Sequence, residues 1–263
     1  MQLQGKLAVI TGASKGIGRA LSGALAQSGC DLFLTDIEEE SLKSVAAGLK
    51  ELFDVQIKFL SADLMLESDR QRLILELQGL NNPPDILINN AGIGYFERFA
   101  ESSISNVLRV IQLNIVATVM LTREFISMVK NRSESKIVNI SSSISRLPYS
   151  GMAVYGATKG FISSFSESLA SELYGTNISV LCFHPGFTKT EFLSAANMDT
   201  HKTPQFLFRT PEFVVNKIIT AIKKDKTWAY ADIYGRLANQ YLSCFQNRFK
   251  TKIFKNIFWE LPE

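Results

Sequence analysis

Continuous apolar runs alternate with amphipathic segments along most of the chain. Residues 7–10 are all apolar, and the apolar positions Ile17, Leu21 and Leu25 that follow repeat at helical spacing up to Gly29. Similar runs predict further strands at residues 32–35, 55–60, 85–89, 136–143, 178–183 and 228–231. Apolar strands separated by helices are typical of a parallel sheet with helices on both faces. The pattern therefore predicts a doubly wound α/β domain.

A glycine-rich loop joins the first predicted strand to the first predicted helix. The loop residues expected to contact a nucleotide are Gly12, Ser14, Lys15, Gly16, Ile17 and Gly18. Glycines at such a turn let the backbone approach a pyrophosphate, which the positive end of the next helix attracts. The spacing Gly-x3-Gly-x-Gly differs from the most familiar dinucleotide fingerprint, and a loop that only turns the chain is the alternative.

Asp36 favours the nucleotide interpretation. It ends the second predicted strand, eighteen residues beyond Gly18, where a carboxylate accepts hydrogen bonds from an adenosine ribose. The same charge repels the 2′-phosphate of NADP, so we predict NAD as the cofactor, with NADP as the alternative. Lys15 offers a cation to a phosphate, although a solvated loop lysine is the simpler interpretation. Residues 38–40 are glutamates, which we expect in the exposed first turn of the next helix.

Further candidate residues follow the third and fourth predicted strands. They are Asp63, Leu64, Asn90, Ala91 and Gly92. Ligands of doubly wound sheets bind beyond the carboxyl ends of the strands, so we expect these residues to line one edge together with the glycine-rich loop. Asn90 is equally compatible with a structural role in a turn.

Tyr155 and Lys159 are candidates for acid–base chemistry. Four residues apart on a helix predicted at 154–173, they lie one turn from each other on the same face. A nearby ammonium is expected to lower the pKa of the phenol from its usual value of about 10. Ser142, at the end of the fifth strand, is placed to bind the same substrate oxygen. The set predicts carbonyl reduction or alcohol oxidation, although such a Tyr/Lys pair also occurs on solvated helices.

The helices around these residues carry two further signals. A helical pattern runs from residue 103 to 131, and Asn114 interrupts its apolar middle, where a buried amide bends a helix or holds a water. In the helix at 154–173 the predicted apolar stripe consists of Val154, Ala157, Phe161, Phe165 and Leu169. His184 is interpreted as a structural residue beside a turn, and with only two histidines in the chain we predict no metal site.

Together these motifs resemble the classical short-chain dehydrogenase/reductase family over about residues 5–192. The matching positions are Thr11, Gly12, Gly16, Ile17, Gly18, Asn89, Asn90, Ala91, Gly92, Asn114, Ser142, Tyr155, Lys159, Pro185, Gly186 and Thr190. The resemblance implies a single Rossmann-type domain with a seven-stranded parallel sheet. It also implies NAD(P)-dependent hydride transfer between the nicotinamide and a carbonyl or secondary alcohol.

The resemblance assigns roles to individual residues. Tyr155 is expected to be the acid/base, while Lys159 lowers its pKa and holds the nicotinamide ribose. Ser142 is expected to orient the substrate oxygen, and Asn114 to hold a water in a proton relay. The other implied cofactor contacts are Asp63 with Leu64 near the adenine, and Pro185, Gly186, Phe187, Thr188 and Thr190, of which Thr190 binds the carboxamide.

The substrate is less well defined. The motifs around Tyr155 and Pro185 are similar to the branch of hydroxysteroid and acyl-chain reductases, many of which carry arginine after the second strand and prefer NADP. Asp36 departs from that branch. Residues 187–209 fall where the substrate lid of the family lies, and their apolar side chains predict an apolar substrate, or only pack the lid. A catalytically silent nucleotide-binding regulatory or scaffold protein of the same fold is the alternative function.

Composition limits the partners and the surroundings. A net charge of +3 in 263 residues is too small to argue for nucleic acid. Three widely separated cysteines indicate reduced thiols in a reducing compartment. The chain enters its first strand without room for a signal peptide, and we expect no apolar stretch of membrane-spanning length. We therefore expect a cytoplasmic protein that acts on a small molecule.

Residues 235–263 are predicted to extend beyond a catalytic domain of residues 1–234. The apolar positions Leu242, Phe245, Phe249, Ile253 and Ile257 share one helical face, and basic residues occupy another. We expect this helix either to lie on an anionic membrane surface or to dock on its own domain or across a dimer interface. The resemblance implies a homodimer or homotetramer formed through the helices that contain Asn114 and Tyr155.

Overall fold

Seven parallel strands form one sheet in the computed structural model, which describes residues 1–198 and 204–242. The strands are β1 (Leu7–Thr11), β2 (Asp31–Asp36), β3 (Ile57–Ser61), β4 (Ile86–Asn89), β5 (Ser135–Ile140), β6 (Ile178–His184) and β7 (Trp228–Tyr230). Their order in space is β3-β2-β1-β4-β5-β6-β7. The predicted seven-stranded, doubly wound parallel sheet is confirmed.

Helices cover both faces of the sheet. They are α1 (Gly16–Gln27), α2 (Glu39–Leu52), α3 (Glu67–Gln78), α4 (Ile104–Ile111), α5 (Thr118–Val129), α6 (Ala153–Glu172), α7 (Glu191–Ala195), α8 (Pro211–Lys223) and α9 (Ile233–Leu242). Side chains from α1, α2 and α8 form one apolar core with alternate residues of the strands. Side chains from α3, α5 and α6 form the other core on the opposite face. Both cores are needed because every central strand is buried on both sides.

The strand order reverses direction between β1 and β4. β1 pairs with β2 on one side and with β4 on the other, so the loops after β1 and β4 diverge and leave a crevice. Ligands of doubly wound sheets bind at such a switch point. The glycine-rich loop and residues 90–92 therefore flank the crevice, as the sequence predicts.

The long helical pattern around Asn114 forms α4 and α5, joined without a break by a π-helical segment, Gln112–Ala117. A π-turn inserts one residue per turn and is common at functional sites. Residues Ile104–Val129 are long and apolar enough to cross a membrane by length and composition alone, contrary to the expectation from sequence. That is weak evidence for a span, since Asn114, Thr118 and Thr122 are buried against the domain.

The predicted apolar stripe of α6 forms only part of its buried face. Leu169 is buried and Phe165 packs against the core, but Phe161 is 42% exposed and Ala157 is exposed as well. The other side chains that α6 buries are Thr158, Lys159, Ile162, Ser163 and Ser166. The polar side chains on this face can be buried because they are hydrogen-bonded. Asn139 Nδ2 donates to Ser166 Oγ at 2.9 Å, and Ser141 Oγ lies 2.8 Å from Ser163 Oγ.

The boundary predicted between residues 234 and 235 falls inside α9. This helix begins at Ile233, and the buried Asn239 donates a hydrogen bond to the carbonyl oxygen of Ser143. α9 therefore contacts the catalytic domain through Asn239. The positions beyond Leu242 on which the amphipathic-helix prediction depends lie outside the described residues.

Gly18 is where α1 comes closest to the end of β1, which leads to a test by substitution. A Cβ atom at Gly18 would lie 1.9 Å from the Gly12 carbonyl oxygen, so we expect Gly18→Ala to lower the free energy of unfolding by about 1–3 kcal/mol. Gly23→Ala is the matched control on the same helix. Its Cβ would meet only Leu49 Cδ2, at 3.9 Å, and alanine favours a helix by up to about 1 kcal/mol. Urea denaturation of both variants measures the difference, and equal effects would contradict the close approach.

Candidate active site

One cavity of about 520 Å³ runs along the carboxyl edge of the sheet. Of the residues predicted from sequence, it is lined by Gly12, Ser14, Lys15, Gly16, Ile17, Asp36, Asp63, Leu64, Asn90, Ala91, Gly92, Ser142, Tyr155, Lys159, Pro185, Gly186, Phe187, Thr188 and Thr190. Gly18 and Asn114 do not line it and lie behind its wall. The structure therefore brings the nucleotide motifs and the acid–base set to one continuous site.

Asp36 closes one end of the cavity against the glycine-rich loop. Its Oδ2 accepts a hydrogen bond from the backbone N–H of Ser14 at 3.0 Å, and its Oδ1 accepts one from that of Glu38 at 3.1 Å. A carboxylate has about four acceptor positions, so two remain for a ligand. Asp36 is thus fixed in orientation and still able to bind hydroxyl groups.

Asn90 fastens the end of β4 to the glycine-rich loop. Its Nδ2 donates to the carbonyl oxygens of Thr11 and Gly12 at 2.9 and 3.0 Å, and the Thr11 hydroxyl accepts from the N–H groups of Asn90 and Ala91, each at 3.0 Å. Asn90 also lines the cavity. Asn90 therefore fixes the loop after β4 relative to the glycine-rich loop, and part of it remains accessible to a ligand in the cavity.

Tyr155 lies at the other end of the cavity, on the first turn of α6. Its hydroxyl is hydrogen-bonded to the Ser142 side chain, and its ring packs against Phe192 with 5.3 Å between ring centroids. Burial raises the pKa of Tyr155 to about 12, and the hydrogen bond from Ser142 acts in the opposite direction. The expected lowering of this pKa is thus wrong for the structure described. At neutral pH the phenol holds its proton.

Lys159 explains why that expectation fails. Its Nζ donates to the carbonyl oxygen of Ile140 at 2.8 Å and lies 5.7 Å from the centre of the Tyr155 ring. Burial lowers the pKa of Lys159 itself to about 8. The desolvation that disfavours the Tyr155 phenolate also disfavours the ammonium, so each group is shifted toward its neutral form.

Asn114 supports the catalytic end from behind. Its Oδ1 accepts from the Ile93 N–H at 2.9 Å, and its Nδ2 donates to the Ile93 carbonyl at 2.9 Å and to the Thr158 hydroxyl at 3.0 Å. The Thr158 hydroxyl in turn donates to the Tyr155 carbonyl at 2.8 Å. The side chain of Asn114 therefore joins the loop after β4 to the helix that carries Tyr155 and Lys159.

His184 does not reach the cavity. Its ring stacks near Trp228 and Tyr230, with centroid distances of 4.3 and 4.7 Å, and its Nε2 lies 3.1 Å from Ser163 Oγ. Burial lowers the pKa of His184 to about 3, so the ring is neutral. These contacts agree with the structural role inferred from the sequence.

Half of the apolar wall beside Tyr155 was not identified from the sequence. Phe192 and Met198 belong to the predicted lid, whereas Ile144 and Met152 come from the segment before α6. The spacing of these residues carries no motif, and only the fold brings them together. One signal was available: Gly94 leaves room for the tyrosine, since a Cβ there would lie 2.8 Å from Tyr155 Cδ2.

The cavity has the chemistry of a dinucleotide site. Gly16 and Ile17 open α1 toward it, and the first N–H groups of a helix have no partners within that helix. The first turn of α1 contains no acidic residue that would neutralise its positive end. In residues 1–198 and 204–242, no group of three or more His, Cys, Asp or Glu side chains is placed to hold a metal ion. The residues present fit a pyrophosphate with ribose hydroxyls at Asp36.

Comparison with known proteins identifies similar chains. The family model described as short chain dehydrogenase matches residues 6–201. A 3-oxoacyl-(acyl-carrier-protein) reductase of Aquifex aeolicus (strain VF5) is 30% identical over 224 residues, covering 83% of this chain and 90% of that protein. A very-long-chain 3-oxoacyl-CoA reductase of Rattus norvegicus is 29% identical over 269 residues, covering 96% of this chain and 84% of that protein.

Solved structures share the whole architecture. A short-chain dehydrogenase from Sphingobium yanoikuyae in complex with NADPH superposes with a TM-score of 0.83 at 26% identity, covering 98% of each chain. A short-chain dehydrogenase/reductase from Burkholderia phymatum in complex with NAD gives a TM-score of 0.82 at 22% identity, covering 100% of both chains. At that identity the second likeness concerns the fold alone.

The shifted pKa of Lys159 predicts a dependence of stability on pH. Folded Lys159 loses its proton near pH 8, whereas in the unfolded chain it keeps the proton up to about pH 10.5. Between these values the unfolded state binds more protons, so the Lys159 contribution to the free energy of unfolding rises with pH, by about 2 kcal/mol. Tyr155 and Cys182 act in the opposite direction at alkaline pH, since burial raises their pKa values.

The measurement is therefore a difference between two proteins. Urea denaturation from pH 7 to 10 is compared for the wild type and Lys159→Met, and the difference in their free energies of unfolding isolates the Lys159 contribution. We expect that difference to change with pH by about 2 kcal/mol in favour of the wild type. Parallel pH profiles would show that Lys159 titrates normally.

Proposed function

Because the chain belongs to the short-chain dehydrogenase family, we propose that it transfers a hydride between a nicotinamide cofactor and an apolar carbonyl compound or secondary alcohol. The chain is an oxidoreductase of CH–OH or C=O groups that uses NAD or NADP. The observation that carries the proposal is the single cavity that joins Asp36 and the glycine-rich loop to the hydrogen-bonded pair of Tyr155 and Ser142.

The protonated phenol gives Tyr155 its role. When bound, the nicotinamide supplies or accepts the hydride. With its pKa raised by burial, Tyr155 holds a proton at neutral pH and donates it from its hydroxyl to the substrate oxygen during reduction. The Ser142 hydroxyl, already within hydrogen-bond reach of that group, orients the same oxygen.

Lys159 and the π-helical segment around Asn114 support the state that forms once Tyr155 has given up its proton. The Lys159 ammonium, 5.7 Å from the ring centre, stabilises the phenolate that forms. The side chain of Asn114 is already engaged by Ile93 and Thr158. A relay water is therefore assigned to a main-chain group of the π-helical segment, where regular helical pairing is interrupted.

NAD is the preferred cofactor in this proposal. Asp36 is held by two backbone N–H groups and keeps acceptor positions for the ribose hydroxyls, while its charge repels a 2′-phosphate. The two solved relatives described above contain NADPH in one case and NAD in the other. The preference of this chain therefore depends on its own residues around Asp36.

The substrate is proposed to be an acyl-chain or steroid-like carbonyl compound. Tyr149 and Met152 form an apolar cluster with Ile144, against which Phe187 and Phe192 pack at the catalytic end. A carbonyl attached to an apolar chain can place its oxygen at Ser142 and its chain along this cluster. Two relatives named as 3-oxoacyl reductases support the acyl-chain alternative.

A catalytically silent nucleotide-binding protein is the rival function. The cavity argues against it, because the Tyr155–Ser142 hydrogen bond and the buried Lys159 serve no purpose in nucleotide binding alone. A protein that only binds the nucleotide has no need to bury an ammonium at a cost in stability.

The domain arrangement and the assembly complete the proposal. We place the catalytic domain in the cytoplasm with its lid at residues 187–209. For the tail that follows α9 we keep two alternatives, contact with an anionic membrane surface or docking on its own domain or across a dimer interface. Homo-oligomers are proposed to form through the continuous helix that contains Asn114 and through α6, which contains Tyr155. Exposed apolar residues on these helices include Ile104, Leu108 and Phe161. α4 and α6 are neighbours in the fold, and apolar patches on a protein surface often mark contacts with a partner.

Replacing Tyr155 tests the chemistry. We expect Tyr155→Phe to lower kcat by about 10²–10⁴-fold because the proton donor is lost, while NADH binding stays within twofold. Turnover is followed by NADH absorbance with 3-oxoacyl thioesters and 3-ketosteroids, and binding by NADH fluorescence. Tyr174→Phe is the control, since Tyr174 is 91% exposed. Substantial residual activity in Tyr155→Phe would refute the assignment.

A truncation tests the membrane contact. Because Asn239 holds Ser143, the chain is ended after Leu242 so that α9 stays intact. We expect the full chain to sediment with vesicles that contain phosphatidylserine, and the truncated chain to remain in the supernatant. Vesicles of phosphatidylcholine alone are the control. The membrane contact is excluded when the full chain also stays in the supernatant.

A further inference from the structure

Lys15 and Glu38 stand beside Asp36 at the nucleotide end of the cavity. Lys15 Nζ lies 3.6 Å from Glu38 Oε1, and both side chains line the cavity, each about half exposed. Glu38 comes from the turn before α2 and Lys15 from the glycine-rich loop, so the contact joins two segments that surround the ribose-binding carboxylate.

We propose that Glu38 is a second determinant of cofactor selectivity, because it pairs with Lys15 and keeps that cation from binding the 2′-phosphate of NADP. The inference rests on the proposed function. It adds a residue that was interpreted from the sequence only as part of an exposed acidic turn.

The argument follows from the charges near Asp36. A phosphomonoester carries a charge of about −1.5 to −2 at neutral pH and needs a cation in contact to offset the Asp36 carboxylate. Lys15 is a cation placed for this in the lining of the cavity, but its charge is already balanced by Glu38. To contact Lys15, the 2′-phosphate of NADP must therefore displace the Glu38 carboxylate. The carboxylates of Asp36 and Glu38 both repel it.

The backbone at this site does not depend on the Glu38 side chain. It is the N–H of Glu38 that donates to Asp36 Oδ1, and this bond is unaffected by a change beyond Cβ. Glu39 provides a comparison on the next residue: its carboxylate pairs with Lys43 at 2.9 Å and does not line the cavity. The two glutamates have the same charge but different access to the cofactor.

The test measures binding of NADH and NADPH to the full chain by protein and nicotinamide fluorescence, without substrate. We expect Glu38→Gln to tighten NADPH binding by about tenfold, as removal of one nearby charge in a partly solvated site allows, with NADH changed by no more than about twofold. Adding Lys15→Met to Glu38→Gln is expected to cancel the gain. Glu39→Gln is expected to leave both dissociation constants unchanged.

Three results would overturn the inference. One is an unchanged ratio of the two dissociation constants in Glu38→Gln with NADH binding intact, which leaves the proposed function standing. Another is tighter NADPH binding in Glu38→Gln that persists when Lys15→Met is added, or that Glu39→Gln also shows. Either result would indicate a nonspecific effect of net charge. The third is failure of the wild type to bind either nucleotide, which removes the proposed function as well.

Discussion

The burial of the Lys159 ammonium determines how the second half of the domain is built. A charged group inside a protein must be hydrogen-bonded, and Lys159 satisfies this need at the Ile140 carbonyl, where β5 ends. Its own carbonyl accepts from Ser141 and Ser163 at 2.9 and 3.0 Å. The lysine is therefore held at both its side chain and its backbone, and α6 must present its polar residues to the sheet.

This orientation has a consequence on the outside of α6. With Ser163 and Ser166 facing inward, Phe161 is left exposed and stacks on the partly buried Phe165 with 5.9 Å between ring centroids. The apolar surface proposed for oligomer formation and the polar interior beside the site therefore both follow from the way α6 is oriented.

Much of the fold and part of the site could be predicted from the sequence. The order of apolar runs determined the sheet, because strands buried on both faces are recognisable without tertiary information. The carboxyl ends of parallel strands meet at one edge, so Asp36, Asn90 and Ser142 could be placed together before their contacts were known.

The features that the sequence analysis did not predict depend on contacts between segments that are distant along the chain. Most of the buried face of α6 was misjudged, because periodicity assigns apolar residues to the core and cannot anticipate that Asn139 on β5 donates a hydrogen bond to Ser166. The direction of the Tyr155 pKa depends on how deeply the phenol is buried, which the spacing to Lys159 does not reveal. For the same reason, nothing in the glutamates at 38–40 distinguishes the one that reaches the cavity.

The hydrogen bond from Asn239 to Ser143 links the last described helix to the residue next to Ser142. Ser143 is also held by the Pro185 carbonyl, which accepts from its N–H at 2.8 Å, so it is clamped between α9 and the end of β6. The 21 residues after Leu242 follow this helix in the sequence, and its Asn239 is hydrogen-bonded to the residue next to Ser142. A shift of α9 would therefore act first on the backbone of Ser143, the residue next to Ser142.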